Sequence, residues 1–342
     1  MTPDRRPWGR PYLFEVLAVA NLAVIAIAAS RVNVSILGSL PDTLIQFLPM
    51  LLGYALGGIV VRAAVSAYRK ELPAFILVIR RAGWITDTLR LALFGAITMH
   101  AYFWIKLLVP VLHPRLFDQE LWNIDQAMMG GLSPNVLFIN IFSAPAAMRT
   151  IDWTYARVFF ASMTIAFAFF LSAPSRRVRI AFTTGNTMMW LAGAWLYMLL
   201  PSLGPAYRFP DLWLPLREML PITHHFQALL MRNYQNVLRL VGGTPSSVQL
   251  AFGIAAFPSL HVAFQTFAFL WMRRVWGYGE IVFGVFTLLI AIGSVVTGWH
   301  YLIDAVAGVA LAAGSYWLGT RLWHVPRWRR LRLGAPREAG SE

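Results

Sequence analysis

The chain contains no cysteine, which excludes disulfides, thiolate nucleophiles and cysteine-based metal sites. Charge is scarce as well: Asp, Glu, Lys and Arg make up only 13% of the 342 residues, with 15 acids against 29 bases. With 58% hydrophobic residues, so little charge leaves more apolar surface than a soluble fold of this length can hide. The bilayer is therefore expected to be part of the solvent. The apolar runs also lack the alternation of a transmembrane barrel. No internal repeat or low-complexity tract interrupts them, which points to one bundle rather than separate domains.

What is present is a series of apolar stretches near 12–30, 44–67, 89–112, 153–172, 178–200, 255–272, 280–297 and 301–322. Each approaches the ~20 residues that cross a hydrocarbon core as helix. Lipid offers backbone N–H and C=O groups no partners, so these stretches predict an all-α, polytopic membrane bundle of about eight spans. The first follows Arg5, Arg6 and Arg10 and ends in Ala28-Ala29-Ser30, like a secretory leader. Its apolar run is too long for one, and a retained helix is expected.

If the N-terminus is cytoplasmic, 20 of the 29 Lys and Arg residues fall at the inner face and nine at the outer, while the acids divide seven to eight. That asymmetry predicts cytoplasmic termini in a plasma or inner membrane. It also explains the net charge of +14 by topology and contact with membrane lipids, without nucleic acid. Two loops on the outer face are long, 113–152 and 201–254, and long ordered loops on one face usually cover a site. In the first, Leu116 to Asp125 reads as a short amphipathic helix at the interface, followed by an apolar segment at 134–142; in the second, 226–241 reads as helix. Gly53-x-x-x-Gly57-Gly58 would allow close helix approach and leaves a homo-oligomer open. His224-His225 has no carboxylate at ligand spacing, so no metal is expected there, and His100 reads as a packed or hydrogen-bonded histidine.

The chemistry gathers at two places. Ala256-Phe257-Pro258-Ser259-Leu260-His261 ends the second long loop, with Pro258 suited to a helix first turn and Ser259 among its free N–H groups, an anion-binding position. Gly298-Trp299-His300-Tyr301-Leu302-Ile303-Asp304 opens the last span, and His300 and Asp304, four apart, are expected on one helix face. Ionisable groups at the ends of spans are expensive and usually functional.

A Pro-Ser-x-His about forty residues before a His-x-x-x-Asp, each at an outer span end, resembles the type 2 phosphatidic acid phosphatase superfamily. The two motifs look most like its branch that includes inositol phosphorylceramide synthases. The resemblance covers roughly 90–322. It implies a six-helix core at 89–322, two additional helices in 1–88 and a basic cytoplasmic tail at 323–342. It further implies His300 as a nucleophile forming phosphohistidine, Asp304 as the acid orienting it, His261 as general acid and Ser259 as a phosphate contact. The substrate would be a lipid-linked phosphate or phosphodiester at the extracytoplasmic face, with no cofactor and no metal required. The Arg that many such phosphatases carry six residues before the nucleophile is replaced by Ser294, and their upstream Lys…Arg-Pro motif is missing. Arg208 is the preferred substitute cation, with Lys106 and Arg157 as further candidates. Water or an alcohol remains open as acceptor, and a proton- or ion-coupled transporter is the rival from another class.

Overall fold

The computed structural model describes residues 10–325; Arg5, Arg6 and residues 326–342 of the expected basic tail lie outside them. Among the described residues there are fourteen α-helices, two short 3-10 turns and no strand. The long ones are α1 (Leu13–Ser30), α2 (Leu40–Tyr68), α4 (Ala82–Leu112), α7 (Pro145–Leu171), α8 (Arg176–Leu199), α12 (Leu260–Val275), α13 (Gly277–Val296) and α14 (Leu302–Leu322). Each of the eight apolar stretches contains a long helix, although 255–259 precede α12. Between them lie α3 (Leu72–Ile79), which the sequence reading did not anticipate, α5 (Asp118–Met128), α6 (Pro134–Ile141), α9 (Pro205–Arg208), α10 (Pro210–Trp213) and α11 (Pro221–Val241).

Among the described residues six helices are long and apolar enough to cross a membrane: α1, α2 with its preceding turn, α4, α7, α13 and α14. The other two expected spans differ for a physical reason. α8 opens with Arg176, Arg177 and Arg179, and α12 is only 16 residues long. Both are interior helices: α12 lies against α7, α8, α13 and α14, and α8 against α1, α4 and α14. Most of their side chains meet protein rather than lipid, which lets them carry polar residues that a lipid-facing helix could not. Gly308 brings α14 against the start of α12, since a Cβ there would lie 2.5 Å from the Ser259 carbonyl oxygen. That crossing sets the two motif-bearing segments side by side.

The ends of the bundle are chemically distinct. At one, the starts of α1, α4 and α8 are tied together. Tyr12 donates to Asp87 at 2.8 Å, Arg176 reaches the same carboxylate at 2.7 Å, and Arg90 pairs with Glu15 at 2.5 Å. At the other sit α5, α6 and α9–α11, so the two long loops do share one end. α1 lies against α4 and α8, and α2 against α4 and α7. His100 fastens α4 to the start of α2, through Thr43 Oγ1 at 2.7 Å and the Ile36 carbonyl at 3.0 Å. Within the Gly53/Gly57/Gly58 cluster only Gly58 is used in a close contact within the chain, against the Ala168 carbonyl on α7.

Candidate active site

The site is built on α5. Asp118, Leu121 and Asp125 recur at helical spacing on one buried face. The amphipathic helix expected here is therefore present, but Asp118 and Asp125 point inward and only Glu120 of its acids stays exposed, paired with Arg115. Asp125 accepts from the N–H groups of Leu302 at 2.7 Å and Ile303 at 2.8 Å, the first free donors of α14. Asp118 accepts from the N–H of Leu203 and of Gly204 and from the Tyr301 hydroxyl at 2.9 Å. Burial raises the pKa of both carboxyls and these donors counter it. Asp152 does the same for α11, accepting from Ile222 and Thr223. The sequence reading missed these roles; the seven-residue spacing of Asp118 and Asp125 around Leu121 was the available signal. Asp125→Ala strands two buried N–H groups and is expected to cost ~1–3 kcal/mol for each. A thermal melt in detergent checks this, and an unchanged melting temperature would make the cap dispensable.

His300 stands in the turn between α13 and α14, which residues of four helices, α6, α9, α10 and α11, hold. Asn135 Nδ2 donates to the carbonyls of Val295 at 2.9 Å and His300 at 3.2 Å. Trp213 donates to Val296 O and Gln227 to Thr297 O, while the Ala206 N–H donates to Gly298 O. Gly298 has φ +73, and a Cβ there would strike the Trp213 ring at 2.4 Å, so only glycine serves. Nδ1 of His300 lies 2.9 Å from the Ala256 carbonyl and 3.3 Å from Asp304 Oδ2. Two acceptors at Nδ1 place the proton there and leave the Nε2 lone pair free. Burial, with Lys106 nearby as a second cause, lowers the His300 pKa to about 3, so the ring is neutral at neutral pH. Ala256 is itself fixed by Ser202, whose carbonyl accepts from the Ala256 N–H and whose hydroxyl accepts from the Phe257 N–H.

Two local expectations are corrected. His300 precedes the helix, and Asp304 in the first turn reaches back to accept from the Tyr301 N–H at 2.9 Å. The pair therefore meets across the helix start rather than on a helical face. Pro258 lies before α12 rather than in its first turn, and Ser259 is the N-cap, its hydroxyl accepting from the Val262 N–H. Ser259 is fully buried and does not line the cavity described next.

His261, His300, Lys106, Tyr155, Tyr197 and Trp299 line one end of a cavity of about 520 Å³. The two imidazole centroids are 6.0 Å apart, and His261 is braced by Phe159 at 4.4 Å and Tyr155 at 5.5 Å. Lys106 Nζ is 5.5 Å from the Tyr197 ring centre. Of the three candidate cations only Lys106 lines this cavity. Arg208 is exposed, 3.5 Å from Gln119 Oε1, and Arg157 is exposed beside Trp153. Arg157 is two residues from both Tyr155 and Phe159, which face the cavity, and so points to the opposite side of α7. His224 and His225 are exposed on α11. Among the described residues no three His, Asp or Glu side chains gather as metal ligands.

Residues 119–318 match the family model of the PAP2 superfamily. No curated protein and no solved structure matches the chain. The matched stretch contains His261, His300 and Asp304 and leaves α1 to α4, including Lys106, outside it.

Proposed function

We propose that this chain, which belongs to the PAP2 superfamily, transfers a phosphoryl group from a lipid-linked phosphate through a phosphohistidine on His300. The observation that carries this reading is the orientation of His300, with Nδ1 held by two acceptors and Nε2 free beside His261 in one cavity. The Nε2 lone pair attacks phosphorus, the bond from phosphorus to the leaving oxygen breaks, and His261, protonated beside the negative charge of the bound phosphate, supplies that oxygen with its proton. The acceptor hydroxyl then attacks phosphorus, His261 takes its proton and the N–P bond breaks. Lys106, the one Lys or Arg among the described residues lining the cavity, offsets the developing charge, and Asp304 and the Ala256 carbonyl stabilise the imidazolium formed on attack.

Transfer to an alcohol is favoured over hydrolysis, in keeping with the inositol phosphorylceramide synthase-like motifs. Ser294, in place of the phosphatase Arg, is fully buried and hydrogen-bonds its own helix at Ala291. A donor carrying labelled phosphorus is expected to leave acid-labile, base-stable label on the protein and to deliver it to an added lipid or polyol alcohol. A transporter would retain no label. Free phosphate released at an undiminished rate across a panel of alcohols would instead leave a lipid phosphatase.

The site opens on the extracytoplasmic face in this reading, because the His300 end is opposite the end rich in Arg and Lys. The absence of native cysteine makes the test direct. Glu218→Cys, exposed at the His300 end, is expected to react with an impermeant maleimide in intact cells, and Arg69→Cys is not. The reverse pattern would place the site in the cytoplasm.

A further inference from the structure

The cavity does not end at the two histidines. It continues between α2, α4, α7 and α8, lined on α4 from Lys106 to Leu91, on α7 from Tyr155 to Leu171 and on α8 from Tyr197 to Thr183. At 1.5 Å per residue the α4 lining alone spans ~22 Å, most of a ~30 Å hydrocarbon core. A phosphate group needs a small part of that length. The lining is mainly apolar, and Thr98 and Asn186 are hydrogen-bonded within their own helices, to Phe94 and Trp190. Thr183 and Thr187 add hydroxyls near the far end.

Two of its walls, α2 and α4, come from outside the family match. α4 and α7 have at most a marginal contact with each other, and α2 lies across both. Phe47 on α2 meets Phe103 on α4 at 5.4 Å, and Tyr54 stacks on Phe167 of α7 at 6.2 Å with an 8° tilt. Deeper in the bundle, Arg62 fastens α2 to α7 through Ser172 Oγ at 2.9 Å and the Phe169 carbonyl at 2.8 Å. Without α2, the space between α4 and α7 would face the bilayer.

We propose that α2 turns this gap into a chamber for one hydrocarbon chain of the substrate lipid, and that Phe47, Met50, Leu51 and Tyr54 set the chain length it accepts. The proposal rests on the phosphoryl-transfer reading for the head group, because that reading puts the phosphate at the mouth of the chamber. An apolar cavity is a poor host for water and a good one for methylenes. Its 520 Å³ suits a single ligand rather than a patch of bilayer.

The test uses hexyl, dodecyl and octadecyl phosphate as donors in mixed detergent micelles. For the wild type, kcat/KM is expected to rise at least tenfold from hexyl to octadecyl. Gly95 faces α2, since a Cβ there would lie 3.0 Å from Leu51 Cδ1. Gly95→Trp and Leu51→Trp therefore fill the channel, and each is expected to lower the octadecyl-to-hexyl ratio at least tenfold. An unchanged ratio in both, in protein that still turns over hexyl phosphate, would overturn the chamber. A second measurement needs no variant: octadecyl phosphate with a terminal diazirine is expected to crosslink the wild type within 47–54 or 91–99. Crosslinks confined to other helices would also overturn it. If the wild type turns over none of the three phosphates, the phosphoryl-transfer reading fails, and the crosslink positions alone decide the chamber.

Discussion

With His300 replaced by alanine, phosphoryl transfer is expected to fall to the reagent blank, and the acid-labile label on the protein to disappear with it. His300 is the imidazole whose Nδ1 is committed to acceptors and whose other nitrogen is left for phosphorus. The fold should tolerate the loss. The Asp304 carboxylate keeps its bond from the Tyr301 N–H, and the turn is held through its backbone by Asn135, Trp213 and Gln227. Expression and thermal unfolding in detergent are accordingly expected to stay near wild type. Asp304→Asn is the graded companion. By analogy with other His–Asp pairs it should cost ~10²–10⁴ in rate. The lower end is expected here, since the Ala256 carbonyl already fixes the same tautomer. Substantial transfer by the alanine variant would remove His300 as nucleophile.

Removal of His261 is expected to cost ~10²–10⁴ on alkyl esters, the range of a positioned general acid. An alkoxide cannot leave without a proton, whereas a nitrophenolate can. The same variant should therefore lose far less on an aryl phosphate. The ring is wedged against Phe159 and Tyr155, so alanine risks loosening α7 against α12, and His261→Gln, closer in shape, serves as the parallel variant. A leaving-group dependence in both variants assigns proton donation. Equal losses on alkyl and aryl donors would mean that His261 acts only through packing.

The aromatic brace around His261 shows where sequence reasoning stops. Nothing near residue 261 in the chain names Phe159 as its neighbour, just as nothing near Gly298 names Trp213. The helices were legible because each one satisfies its own backbone in lipid, so a local apolar run is sufficient information. The His300–Asp304 pairing was legible for the same reason, four residues being a local distance, although its form as a cap before the helix was not. Asp118 and Asp125 were misjudged because an acid on a short amphipathic helix normally faces water. Here the free N–H groups of another helix 177 residues away replace that water.

By itself, then, the sequence determined the fold class, the eight helical stretches, the two long loops and the two motifs that carry histidine, all of which are properties of short segments. Packing between distant segments placed α8 and α12 in the interior, put Lys106 rather than Arg208 or Arg157 in the cavity with the histidines, and laid α2 across the space between α4 and α7. The physical reason is that hydropathy reports which residues leave water. It does not report which helix each one then faces, because lipid and protein interior are equally apolar, and that choice is made by close packing and by hydrogen bonds between segments far apart in the chain.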